Sequence, residues 1–225
     1  MIGCVSPRST IVYLVRHGES LLNRDKRVSG QFDTPLSPEG VQRSQALADQ
    51  LREVRLTAIY TSALERTIET ARPTAETHGL PIRSTIALNE LHFGVLEGRF
   101  RDDRDPEAKV LWEARKRDKR HYRFPEGERF LDLAERVTAS LKNILADEDG
   151  GTILIVGHRN TNRALFGMLM RQPEDQWPDV TLKSQYIYCL TTYSPPLLTT
   201  MAIKSKQTGL LPTTRTVQSK PRLTP

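Results

Sequence analysis

Thr10-Ile11-Val12-Tyr13-Leu14-Val15 runs into Arg16-His17-Gly18-Glu19-Ser20, and Thr152-Ile153-Leu154-Ile155-Val156 runs into Gly157-His158. Both runs are short, apolar and rich in β-branched residues, the pattern of strands buried on both faces. Such strands belong to parallel sheets covered by helices, so the pair predicts an α/β layer fold. Each run ends in a glycine and a histidine. That places two histidines at carboxyl ends of strands, where open α/β sheets build their sites.

Working outward, Ser37-Pro38-Glu39 supplies an N-cap, a first-turn proline and an early acid. A helix is predicted over 38–53, with Val41, Leu47, Ala48, Leu51 and Val54 on its apolar face. A strand over 57–60 follows, then a helix over 64–79 that is kinked at Pro73 and stopped by Gly79. A third apolar run, 82–88, ends in Asn89-Glu90. Leu133, Val137, Leu141 and Ile144 mark a helix over 130–146, and another is predicted over 162–170. The strand over 186–193 is read as the sheet edge, open to pairing with a second subunit though nothing in the sequence requires one, and the oligomeric state stays open. The expected architecture is a three-layer α/β fold, a mostly parallel sheet with helices on both faces and one antiparallel edge strand.

The 225 residues carry 33 Lys plus Arg and 27 Asp plus Glu, a formal charge of +6. That excess lies at the end of the chain, because no acid follows Asp179 while Lys183, Lys204, Lys206, Arg215, Lys220 and Arg222 do. The expected organisation is one domain over 1–204 and a basic, disordered Thr/Pro-rich tail over 205–225. Within the domain, 99–123 holds ten basic and six acidic residues with little apolar pattern. It is read as a charged lid, about 99–129, lying over the surface, with a short helix at 106–117 packed through Val110, Leu111 and Trp112.

Several classes are excluded at this point. No apolar run approaches the ~20 residues of a membrane helix, and the N-terminus lacks a secretory pattern, so a cytoplasmic protein is expected. Cys4 and Cys189 have no metal-ligand spacing around them, and no metal site is expected. Aromatic residues are 6% of the chain, without the basic-aromatic interleaving of a nucleic-acid surface, so nucleic acid is not an expected partner.

The chemistry-bearing residues gather at strand ends. His17, beside Arg16 and Gly18, is placed to show one ring nitrogen to a cleft while a backbone carbonyl fixes the other. Arg66 stands at a strand-to-helix junction, where a planar guanidinium grips a phosphoryl group with two bonds. Glu90 ends another apolar run with a carboxyl group. In that order, Leu14 to Ser20, Tyr60 to Ala71 and Asn89 to Gly98 resemble the histidine phosphatase superfamily, which includes the cofactor-dependent phosphoglycerate mutases. The resemblance spans about residues 10–193. It implies that His17 is the nucleophile and carries a transient phosphohistidine. Arg16, Arg66 and His158 would surround the phosphoryl oxygens, Asn23, Ser29 and Gly30 would touch the same group, and Glu90 would be the proton donor and acceptor. No cofactor is implied, except a bisphosphoglycerate primer under a mutase reading.

The segment from His121 to Phe130 resembles the signature of the phosphatase branch. The expected activity is therefore metal-independent hydrolysis of small anionic phosphate esters. A mutase and a non-catalytic phospho-ligand binder are the alternatives. Two positions depart from the family pattern: Arg129 replaces a usual serine, and Arg159 replaces a common glycine, where it adds a phosphate contact or crowds the pocket. His78 is read as a helix C-terminal cation, His92 as divided between pocket lining and packing, His121 as solvated, and Glu97 with Gly98 as matching the family pattern while a structural turn explains both at least as well.

Overall fold

The computed structural model describes residues 9–203; the basic segment 205–225 lies outside the described residues. Strands β1 (Ile11–Arg16), β2 (Ala58–Ser62), β3 (Ile82–Thr85), β4 (Thr152–Gly157), β5 (Tyr186–Thr191) and β6 (Leu197–Ala202) form one sheet in the order β3-β2-β4-β1-β5-β6. The first four are parallel, whereas β5 runs antiparallel to β1 and β6 antiparallel to β5.

Residues alternate between two cores at the period of a strand. Val12 and Leu14 of β1, Ile153 and Ile155 of β4, and Ala58 and Tyr60 of β2 face one apolar layer. Val15, Leu154, Val156 and Ile59 face the other. The helices α2 (Pro38–Leu51) and α3 (Glu65–His78) cover the second layer; α5 (Phe130–Asp147) and α6 (Arg159–Leu169) cover the first. Complete burial of Val12, Leu14 and Val15 stabilises the fold by about 1.5–3 kcal/mol per side chain, and Ile153 to Val156 of β4 are buried as fully. A short helix α1 (Leu21–Arg24) and the helix α4 (Pro106–Arg117) flank the strand ends.

Ser37 caps α2 by accepting from Gly40 N at 3.1 Å, and Gly79, at φ +63°, terminates α3. Pro73 lies inside α3 without ending it. Four expectations need correction. Val41 is exposed rather than packed, because α2 turns it away from the sheet. The strand at 186–193 is not the edge, since β6 pairs along its length and takes that place. The run 82–88 leaves the sheet at Thr85 and closes as a 3-10 turn, Ile86–Leu88, that aims Asn89 and Glu90 inward.

The charged segment is the fourth correction, because it is only partly a surface cover. Ala108 and Phe124 are fully buried, with Leu111 and Trp112 packed against them, while Val110 is exposed. Edge-on contact between Phe93 and Phe124, with ring centroids 5.2 Å apart, fastens this segment to the turn that follows Glu90.

Candidate active site

The carboxyl ends of β1, β2 and β4 open into a cleft of about 700 Å³. Eight of the nine residues singled out from sequence line it: Arg16, His17, Asn23, Ser29, Gly30, Arg66, Glu90 and Arg159. The ninth, His158, is fully buried behind the wall, its ring centroid 5.0 Å from that of His17.

His17 is set by backbone geometry. Its N–H donates to Gly157 O at 3.0 Å, continuing the β1–β4 ladder one step past the strands. Ring Nδ1 lies 2.6 Å from Gly18 O. A carbonyl only accepts, so Nδ1 carries the proton and Nε2 keeps its lone pair. Gly18 is required by close approach, because a Cβ there would stand 2.7 Å from Gly40 O at the start of α2. Burial holds the His17 pKa well below the usual value of 6.5, and the charges of Arg66 and Arg16 push the same way. The imidazole is therefore neutral, the form that can attack an electrophile.

His158 is the N-cap residue of α6 and is neutral for the same reasons: burial first, then Arg66, then His17. Its Nε2 sits 2.7 Å from Ser62 Oγ, and its Nδ1 is buried without a protein partner. A buried imidazole nitrogen left open beside His17 has the position of a donor reserved for something bound there. The helix begins at Arg159, three residues before the expected start at 162. Arg159-Asn160-Thr161-Asn162 shows no apolar period because Arg159 and Asn160 line the cleft while Thr161 and Asn162 are buried polar side chains that donate to Asn89 O and Val15 O.

Early onset of α6 explains how Glu90 is held. Asn160 N donates to both carboxylate oxygens of Glu90, at 3.1 and 3.2 Å, and Leu91 N donates to Oε1 at 2.8 Å. Arg136 on α5 fixes the chain just before it, donating to the carbonyls of Ala87, Asn89 and Glu90 while pairing through two bonds with Glu128. Glu128 in turn accepts from His92 N at 3.0 Å. The segment resembling a phosphatase signature thus acts here as the brace behind Glu90. Glu97 accepts from Gln31 N and Phe93 N and would collide with a Cβ at Gly30, whose φ is +53°; it shapes the turn, as expected. His92, His78 and His121 do not line the cleft. His78 bonds to Leu51 O, and His121 is exposed beside Asp118.

Arg66 is 1% exposed; it donates to Gly30 O at 2.5 Å and Phe32 O at 3.1 Å, leaving Nε without a partner. Arg16 keeps a buried, unpartnered Nε, and burial lowers its pKa to about 10, with Glu90 opposing the shift; it remains charged at neutral pH. Neither arginine forms an ion pair with a carboxylate among the described residues. Three helical arginines of the cleft were not singled out from the sequence: Arg43 on α2, Arg115 on α4 within the charged lid, and Arg163 on α6. Each occupies the polar stripe of an amphipathic helix, where arginine ordinarily reads as a solvated charge. Arg129, by contrast, pairs with Asp132 at the start of α5 and does not line the cleft.

The two neutral histidines give the fold a pH dependence. Unfolded, each takes up a proton near its ordinary pKa, whereas the folded chain resists protonation, so stability is full above about pH 6.5 and falls below it. With about 1.4 kcal/mol per pH unit for each group, the pair predicts a loss of up to about 2.7 kcal/mol per unit. Urea midpoints measured from pH 7.5 to 5.5 check this, and a midpoint constant across that range would refute it.

Comparison with known proteins identifies the family and the fold. A probable phosphoglycerate mutase, GpmB, of Yersinia pestis is 36% identical over 162 residues, covering 72% of this chain and 75% of its own. Among solved structures, a mycobacterial glucosyl-3-phosphoglycerate phosphatase superposes with a TM-score of 0.73 at 27% identity, over 82% of this chain and 91% of that one. The alpha-ribazole phosphatase of Shigella flexneri gives 0.73 at 28% identity, over 80% and 89%. The family model of the histidine phosphatase superfamily (branch 1) matches residues 12–195. With the strand-end histidines, the arginines between them and a match over most of its length, this chain belongs to the histidine phosphatase superfamily.

Proposed function

We propose that the protein is a metal-independent phosphomonoesterase that hydrolyses small phosphorylated metabolites through a phosphohistidine on His17. The observation that carries this reading is the pairing of a neutral His17, its Nδ1–H spent on Gly18 O, with guanidiniums that have no carboxylate partner. Attack by Nε2 forms the N–P bond as the P–O ester bond breaks, and Glu90 gives its proton to the departing oxygen. Water then attacks phosphorus, Glu90 takes its proton, the N–P bond breaks and inorganic phosphate leaves. In both steps charge spreads over three equatorial oxygens, and fixed cations and N–H donors are what stabilise it. Arg16 and Arg66 supply the cations. His158 supplies a donor when the Ser62 hydroxyl donates a hydrogen bond to Nε2 and Nδ1 carries the neutral ring's single proton. Asn23, tied to Ser29 by a 3.1 Å bond, and the Ser29-Gly30 turn close the remaining side.

Mutase activity starts from the same phosphohistidine, and the 36% identity to a probable phosphoglycerate mutase gives it a specific basis. The test is phosphate release from an aryl phosphate in the presence of a chelator, with vanadate as inhibitor, together with a panel of phosphorylated metabolites that includes both phosphoglycerates and bisphosphoglycerate. Release with chelator present, blocked by vanadate, is expected. Strict dependence on added magnesium would refute the mechanism, isomerisation without net phosphate release would replace hydrolysis by mutase activity, and binding without turnover would leave a phospho-ligand binder.

A further inference from the structure

We propose that Arg115, Arg159 and Arg163, on the wall between α4 and α6, form a second anion subsite, so that the leaving alcohol of the substrate carries a second anionic group. This rests on His17 and Glu90 acting as described above, and it concerns a part of the cleft that their chemistry does not use.

Arg115 is 7% exposed, yet it lines the cleft with its Nε buried and unpartnered. Its Nη2 lies 3.3 Å from Asn160 Oδ1, and Arg163 Nη1 reaches the same oxygen at 3.2 Å. Two guanidiniums thus share one neutral acceptor. Arg159 adds a third charge at the rim, and Arg101, stacked on Trp112, is a fourth within the field of Arg159. None of these four forms an ion pair among the described residues, whereas Arg99, Arg104, Arg123, Arg129 and Arg136 nearby all do. Burial, with the charges of Arg159 and Arg115 acting in the same direction and Glu90 and Asp179 opposing, brings the Arg163 pKa down to about 10. Gathering unneutralised guanidiniums in a half-buried wall is unfavourable for the empty protein, and a bound anion removes the cost.

Position identifies which part of the substrate bears that anion. Asn160 bonds to Glu90 through its backbone N and to Arg115 and Arg163 through its side chain. The order across the cleft is therefore His17, scissile phosphate, Glu90, arginine wall. Glu90 protonates the leaving oxygen, so whatever extends beyond it toward α4 and α6 belongs to the leaving alcohol. Phosphate and carboxylate share the needed chemistry, oxygens arranged to meet a guanidinium fork.

The test uses phosphonates, whose C–P bonds are not hydrolysed, so it reads binding independently of turnover. Affinities of the intact protein are measured by calorimetry for an alkyl monophosphonate, for α,ω-bisphosphonates with three to five carbons between the groups, and for phosphonocarboxylates of the same lengths. At least one doubly anionic ligand should bind about tenfold or more tightly than the monophosphonate, the gain of one charge-assisted contact. The better of the two series names the second group. Arg163→Met should remove most of that gain, and Arg159→Met, at the exposed rim where folding is not at stake, should reduce it. Equal affinity for single and double anions, or a gain that survives both substitutions, would overturn the subsite. A double-anion gain in a protein that releases no phosphate from any ester would instead keep the subsite and overturn the hydrolase reading.

Discussion

His17→Ala should lower turnover by a factor on the order of 10⁴–10⁶, the scale seen when a covalent nucleophile is deleted, and should abolish acid-labile phosphate labelling of the protein. The structural reason is that nothing else in the cleft can take over. Among the cleft residues His17 is the only imidazole, and the neighbouring His158 is fully buried, with Nε2 held by Ser62. Removing the ring also leaves Gly18 O without its donor, a loss of about 1 kcal/mol that thermal unfolding would register separately from activity. His17→Gln, which retains bulk and a donor but has no lone pair on nitrogen fit to attack, should be equally inactive with smaller loss of stability. Quench-flow labelling with a phosphorylated substrate followed by acid and base treatment is the check. Turnover above one part in about a hundred in either variant would mean that another group attacks phosphorus.

The residues of this centre were legible for a physical reason. His17 and His158 each follow a buried apolar run, and Glu90 follows the end of a shorter, mostly exposed strand and turn of which Leu88 is buried; the end of such a run can be read from β-branched composition and a break at glycine or a polar pair. Arg66 followed the same logic at the end of β2. Arg43 and two members of the arginine wall, Arg115 and Arg163, escaped because they lie within helices, and helical periodicity separates apolar from polar faces without saying whether a polar face meets water or a cleft. Asn160 escaped as well, since the polar turn at the start of α6 has no apolar period to show that helix begins at Arg159. The strand β6 was hidden by Pro195 and Pro196, which punctuate the sequence as though the fold had ended, although Leu197–Ala202 returns along β5. Burial of Ala108 and Phe124 beneath a segment of high charge shows the same limit from the other side. A few well-placed apolar residues suffice to anchor a segment whose composition reads as surface.

Arg66 carries the second large effect, and its two roles can be separated. Its Nη atoms hold the carbonyls of Gly30 and Phe32, which fixes the Ser29-Gly30 wall, while Nε stays free and the charge faces the cleft. Burial lowers the Arg66 pKa, and the nearby carboxylates of Glu90, Asp33 and Glu97 oppose the shift. Arg66→Ala removes both charge and clamp, and kcat/KM should fall by about 10³–10⁵, the range for deleting a transition-state arginine in phosphoryl transfer. Arg66→Lys keeps a charge but has neither the planar fork nor the reach to two carbonyls, so a loss of about 10²–10³ is expected, the scale of one oriented donor. Because charge builds on the same oxygens when His17 attacks and when water does, labelling and turnover should slow together in Arg66→Ala. That pattern sets it apart from Glu90→Gln, which should slow turnover more than labelling by an ester with a good leaving group. If Arg66→Ala lost less than tenfold in kcat/KM, or slowed only one of the two steps, the guanidinium would be a loop clamp alone and the transition-state role would pass to Arg16.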